Sequence, residues 1–220
     1  MGKVQIITEN QKIILGEIKN NAWLKRSFYL SGGTALSAFY LQHRYSNDLD
    51  FFSKEKFDNE IIFSLMGEWG KNHGFSFQSR FVEVVYKFNL EFKGSQSLTI
   101  DFAYYPYGQL GEELNFEGIR IDSLFDIAVN KMLIIGQRTD VKDFVDLYFL
   151  LQKFSVGDLM EGVKKKFMME QEPLLLAADL LKIEDFDFLP RMVKPLNLEQ
   201  LKNFFREKAR ELGSKSINKR

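Results

Sequence analysis

The sequence predicts an α+β fold: a mixed β-sheet flanked by helices, followed by a mostly α-helical C-terminal half. Three observations carry that expectation. Residues 27–53 run strand, glycine turn, helix, strand; apolar residues between Phe75 and Tyr105 recur with period two; and after Asp122 nearly every apolar stripe has helical spacing. The division expected from this change of character is a sheet-containing domain over residues 1–121 and a helical domain over 122–220.

The opening reads as an amphipathic helix, with Ile6, Ile13, Ile14 and Ile18 near helical spacing, ending around "NNAW". "RSFYLSG" reads as a short buried strand and "GTALSAFYLQH" as a helix that begins directly after the glycines. "NDLDFFS" is a second strand, and "DNEIIFSLMGEWGKNHG" a helix stopped by Gly74. "FVEVVYKFNLEF" and "SLTIDFAYY" form an antiparallel hairpin broken at Gly94, which favours a mixed sheet over a parallel one. A loop, "PYGQLGEELNFEG", leads to the short strand "IRI". In the helical half, Thr139 or Asp140 can cap a helix that is apolar nearly all round after Phe144. The tail "GSKSINKR" is polar and basic, a frayed end able to touch a phosphate backbone.

At 220 residues, 45% of them hydrophobic and 22 of them phenylalanine, the chain can bury a self-sufficient core. Lys+Arg 30 balances Asp+Glu 30, so no global field selects nucleic acid or an anionic membrane, and any such contact is local. The absence of cysteine excludes disulfides and thiolate metal sites. No signal-peptide core and no membrane-length apolar run is seen, so the expectation is a soluble, cytoplasmic protein without a membrane partner.

Packing explains the apolar letters of "LSGGTALSAFYLQHRYSNDLDFF" and leaves its glycines and aspartates over. Between strand and helix, Gly32 and Gly33 permit close approach to the backbone, and the helix start at Thr34 offers unpaired N–H groups to an anion. A tight turn needing positive φ explains the same pair structurally, and the spacing matches neither the phosphate-loop nor the dinucleotide pattern. Asp48 and Asp50 stand two apart on a strand, so they project to one side about 6 to 7 Å apart, with Leu49 and Phe51 opposite. Two charges that close repel by roughly 2 to 3 kcal/mol at an effective dielectric near 20. A basic neighbour, protonation or a divalent cation relieves this, and magnesium suits carboxylate oxygens and substrate phosphates. Asp101, in "LTIDFAYY", is a third carboxylate set in an apolar strand.

Lys131 falls in the middle of an apolar stripe formed by Leu124, Ile127, Ala128, Ile134 and Ile135. Its stem either snorkels to water or delivers an ammonium to an anion such as a triphosphate. Asp143 and Asp146 lie three apart on the next helix, and Asp146 is set among Val145, Leu147, Tyr148 and Phe149. A buried aspartate needs a partner, which Lys142, Lys131 or Arg138 could supply; that structural role stands beside a catalytic one.

Together these segments resemble a known family. "SGGTALSAFYLQHRYSNDLDFF" is similar to the first motif of the DNA polymerase β-like nucleotidyltransferase superfamily, and with "IDSLFDIAVNKM" and "KDFVDLYFLL" the chain resembles the AbiEii/AbiGii toxins of phage-defence abortive infection and toxin–antitoxin pairs. The likeness runs from about Phe28 to Leu151. It implies a nucleotidyltransferase-like sheet and transfer of NMP from an NTP to an RNA, tRNA in some relatives, or to a protein. It implies a magnesium cofactor, in a two-metal site that manganese would also suit, and an antitoxin as partner of a toxin. Carried over by position, Gly32, Gly33 and Thr34 cradle the nucleotide, Asp48, Asp50 and Asp101 hold metal, and Lys131 contacts phosphates. Asp143 or Asp146 matches the last acidic residue, so the helical domain contributes to the cleft. Gly33 departs from a superfamily that often has serine there, which leaves the phosphate to backbone N–H groups. Residues beyond about Gln152 match nothing specific and are expected to shape the acceptor site. A module that kept the fold and binds nucleotide or protein without turnover is the alternative. Phosphohydrolase chemistry is weaker, since neither His43 nor His73 has ligand spacing.

Overall fold

The computed structural model describes residues 6–94 and 97–217, with side chains to residue 214, so the ends "MGKVQ" and "NKR" of the opening helix and basic tail lie outside the described residues. It divides into two compact units: residues up to Tyr40 with Ser46–Ser123, and Leu41–Tyr45 with residues from Leu124 onward.

The first unit opens with α1 (Glu9–Asn20), started by a capping box in which Thr8 and Gln11 exchange side-chain and backbone bonds. Asn21 then ends α1 and caps α2 (Ala22–Ser27) by accepting from Trp23 and Leu24 N–H; the first helix thus ends about where the sequence reading put it, and α2 takes Arg26 and Ser27, which that reading gave to the first strand. The sheet contains β1 (Tyr29–Ser31), β2 (Leu49–Ser53), β3 (Phe75–Val82), β4 (Val85–Phe92), β5 (Leu98–Tyr104), β6 (Leu114–Phe116) and β7 (Ile119–Ile121), in the order β3-β4-β5-β2-β1-β7-β6. β2 with β5 and β1 with β7 are parallel, and the other pairs are antiparallel, which makes the sheet mixed.

α3 (Gly32–Ala35) follows β1 directly and widens into a π-helical stretch, Leu36–Leu41. α4 (Asn59–His73) is capped by Asp58 and stopped by Gly74 in the left-handed region, φ 72°. One turn differs from the sequence reading. "FVEVVYKFNLEF" is not one strand: it folds back at Glu83–Val84, with Glu83 at φ 56° and Val82 paired to Val85. The two-residue loop keeps the alternation in phase on both sides, so period two alone hides it. β6 likewise emerges from the stretch read as loop.

One sheet face is the core. Leu30, Phe51, Phe88 and Phe102 are fully buried, with Phe51 stacked on Phe102 at 5.3 Å and Phe28 edge-on to it at 5.2 Å. Each such side chain contributes about 1.5 to 3 kcal/mol of burial.

The second unit comprises α5 (Leu124–Gln137), α6 (Val141–Leu150), α7 (Val156–Phe167), α8 (Pro173–Leu181) and α9 (Leu198–Ile217). Asp140 is the cap of α6, its side chain accepting from Lys142 N–H. Phe144 and Phe205 meet edge-on at 5.3 Å in its core. Leu41–Tyr45, which the sequence reading kept in the sheet half, is held here: Val193 N–H donates to His43 O at 2.8 Å and Tyr45 N–H to Arg191 O at 2.9 Å. No helix among the described residues is long and apolar enough to cross a membrane.

Candidate active site

The second sheet face carries the polar residues. Strand register aligns Arg80 with Lys87, Lys87 with Asp101, Asp101 with Asp50, and Asp50 with Ser31. Laterally paired residues point to the same face, so these five form one row across five strands. The sequence reading expected the three carboxylates on adjacent strands; the parallel pairing of β2 with β5 makes Asp50 and Asp101 direct neighbours. Asp48, which the sequence reading placed on the strand, stands just before β2, with its carbonyl accepting from the Thr34 hydroxyl.

The glycine turn is shaped around Asp50. Gly32 has φ +70°, and a Cβ there would stand 1.9 Å from Asp50 Oδ2. Two independent constraints, backbone sign and space, therefore require glycine at this position. Ser31 sits behind the turn, donating to Asp122 Oδ2 at 2.8 Å, and Asp122 also accepts from Ser123 N–H and Gln109 Nε2. Tyr40 donates to the Asp122 carbonyl at 2.8 Å. Asp122 is fully buried and ties both ends of the π-widened helix to the strand before it. The sequence showed it only as the last residue before a helix, where an aspartate reads as an ordinary cap.

Asp101 ion-pairs through Oδ2 with Lys87, while its Oδ1 is buried without a hydrogen-bond partner among the described residues. Burial pushes the Asp101 carboxyl up, the Lys87 bond pulls against that, and the negative charge of Asp48 adds to the rise. Among the described residues no three His, Asp or Glu side chains are drawn together tightly enough to hold a metal ion as they stand. The donor chemistry nevertheless fits a hard divalent cation: carboxylate oxygens only, one of them orphaned, on a face where like charges repel. Lys87 now supplies the positive charge.

In the helical unit, Lys131 is buried and donates to Asp143 Oδ1 at 2.6 Å, with Asp146 Oδ2 at 2.8 Å. Arg138 closes on Asp143, and Arg44 grips Asp146 through Nε at 2.6 Å and Nη2 at 2.7 Å. His43 Nε2 lies 2.7 Å from the same carboxylate. Of the partners the sequence offered for Asp146, Lys131 is engaged with it, while Arg138 pairs with Asp143. Burial alone would raise Asp146, but Arg44 and Lys131 outweigh it and hold the carboxyl well below its ordinary range. Burial opposes the Lys131 charge too, and Asp146 with Asp143 more than restores it. The signal for Arg44 was its place in "LQHRYSND", beside a run otherwise apolar; pattern alone could not name its partner 102 residues away.

Comparison with known proteins bears on this site. The profile of the family described as "Nucleotidyl transferase AbiEii toxin, Type IV TA system" matches residues 15–219. The chain belongs to the AbiEii nucleotidyl transferase toxin family. An uncharacterised protein of Aquifex aeolicus (strain VF5) is 32% identical over 190 residues, covering 84% of this chain and 87% of that protein. A Helicobacter pylori crystal structure, provisionally assigned as a nucleotidyltransferase, superposes with TM-score 0.57 at 22% identity over 97% of this chain and 99% of that one. The nucleotidyltransferase toxin MenT4 of Mycobacterium tuberculosis H37Rv gives 0.55 at 14% identity, over 91% and 82%. These likenesses establish a nucleotidyltransferase fold, and the AbiEii membership makes the chain a nucleotidyltransferase of the toxin class.

Proposed function

We propose that the chain transfers a nucleoside monophosphate from an NTP to an RNA acceptor, tRNA being one candidate, as the toxin of a pair with a cognate antitoxin. The observation that carries this reading is the row Lys87–Asp101–Asp50–Ser31, with the Gly32 turn closed against Asp50. Asp48 and Asp50, joined by Asp101, would hold Mg2+, which when bound supplies a Lewis acid for the acceptor hydroxyl and for the departing pyrophosphate. Asp101 would be the carboxylate that helps activate the acceptor hydroxyl. The backbone at Gly32, Gly33 and Thr34 would lie along the triphosphate, and the Thr34 hydroxyl, engaged by Asp48, acts by fixing the strand start. For Lys131, Asp143 and Asp146 the ion pairs support a positioning role, in which they hold α5 and α6 together; the phosphate contact implied for Lys131 is the other role.

Incubation of the protein with each labelled NTP, Mg2+ and total RNA is expected to label an RNA acceptor, and Asp50→Ala to abolish labelling. Equal labelling by wild type and Asp50→Ala across all four NTPs would sink the reading.

A further inference from the structure

The chemistry above gives Lys87 no task, although its ammonium touches one of the candidate metal ligands. We propose that Lys87 is a displaceable counter-cation: it neutralises and orients Asp101 until a divalent cation takes that carboxylate, and binding of the cation releases the ammonium with its protons. The inference rests on the nucleotidyl-transfer reading of the same carboxylates.

Three observations support it. The contact is built by register, since Lys87 and Asp101 are lateral neighbours on β4 and β5, so it is a property of the sheet and not of a wandering surface chain. It is also incomplete: Lys87 engages Oδ2 alone, while Oδ1 is buried with no partner among the described residues, a cost that a lysine point charge leaves standing and a cation coordinated by both oxygens removes. Third, the side that Lys87 comes from is open. Its side chain is 29% exposed against 14% for Asp101, and its lateral neighbour Arg80 and its same-face neighbour two residues along β4, Asn89, are exposed, so the flexible stem has solvent to move into. A cross-strand pair that serves only sheet stability would satisfy both carboxylate oxygens more simply with arginine. Because cation and ammonium compete for one carboxylate, each must weaken the other's hold by the same factor.

Mn2+ binding to the full chain, followed by the loss of the free-ion electron paramagnetic resonance signal, tests this. Lys87→Met is expected to bind Mn2+ about tenfold more tightly than wild type, a typical size for coupling between competing ligands. Lys87→Arg, able to occupy both oxygens, is expected to bind more weakly than wild type. Adding Asp101→Asn to Lys87→Met is expected to erase the gain. Should Lys87→Met fail to fold, Lys87→Gln must show the same gain. Unchanged or weaker Mn2+ affinity in the uncharged variants, a gain that survives Asp101→Asn, or no Mn2+ binding in any variant overturns the proposal. Unchanged affinity beside normal RNA labelling removes only the role of Lys87; the tenfold gain beside absent labelling upholds it and removes only the transferase reading.

Discussion

A methyl group at position 32 would have to occupy the space of the Asp50 carboxylate, 1.9 Å away, on a backbone already at φ +70°. Gly32→Ala must therefore move either the turn or the aspartate. The expected outcome is a loss of roughly 2 to 3 kcal/mol of stability, combining left-handed strain with overpacking, and loss of RNA labelling even where the protein remains folded. Circular dichroism beside the labelling assay checks both. At this scale the sequence was informative wherever a residue broke a pattern: Asp48, Asp50 and Asp101 stood out as charges in apolar strands. Lys87 did not, because a lysine on the polar side of an alternating strand is ordinary until its lateral neighbour is known.

Elements whose signal is local were legible: β1, the glycine turn, β2, the Gly74 stop of α4 and the Asp140 cap of α6 all follow from adjacent residues. What escaped depends on distant pairing or on a turn without turn residues. Glu83–Val84 reverses the chain with neither glycine nor asparagine, and β2 finds β5 across two intervening strands. The buried charges of α5 and α6 belong to the same class, since Arg44 and Asp146 come together only in the fold. Their energetics are asymmetric. Asp146→Asn keeps the shape and leaves the buried cations Arg44 and Lys131 short of a counter-charge, so it is expected to destabilise the helical unit by about 3 to 5 kcal/mol. Urea unfolding followed by helical circular dichroism measures this, and a change below about 1 kcal/mol would show that the cations relax to water.

Acid acts on the whole chain through the same cluster. Burial lowers the His43 pKa, against the pull of Asp146, and the charges of Arg44 and Lys131 add to the lowering. The unfolded chain therefore takes up a proton near pH 6.5 that the folded chain still refuses, so stability falls as pH drops through that region, by at most about 1.4 kcal/mol per pH unit for one proton. Asp143 and Asp146 have depressed values in the fold, so their stabilisation is complete above the ordinary carboxylate range and is lost only below about pH 4. Asp101 shifts the opposite way and offsets part of the acid loss. Denaturant midpoints are thus expected to be lower at pH 5.5 than at pH 7.5 in the wild type, and His43→Gln should flatten that difference. The polypeptide also leaves its sheet-bearing part at Leu41 and returns at Ser46 before crossing for good at Leu124. Severing the gene at that last crossing would strip the downstream fragment of Arg44 and His43 and leave its buried Asp146 carboxylate to Lys131, so that fragment is not a self-sufficient piece for expression or for evolutionary exchange.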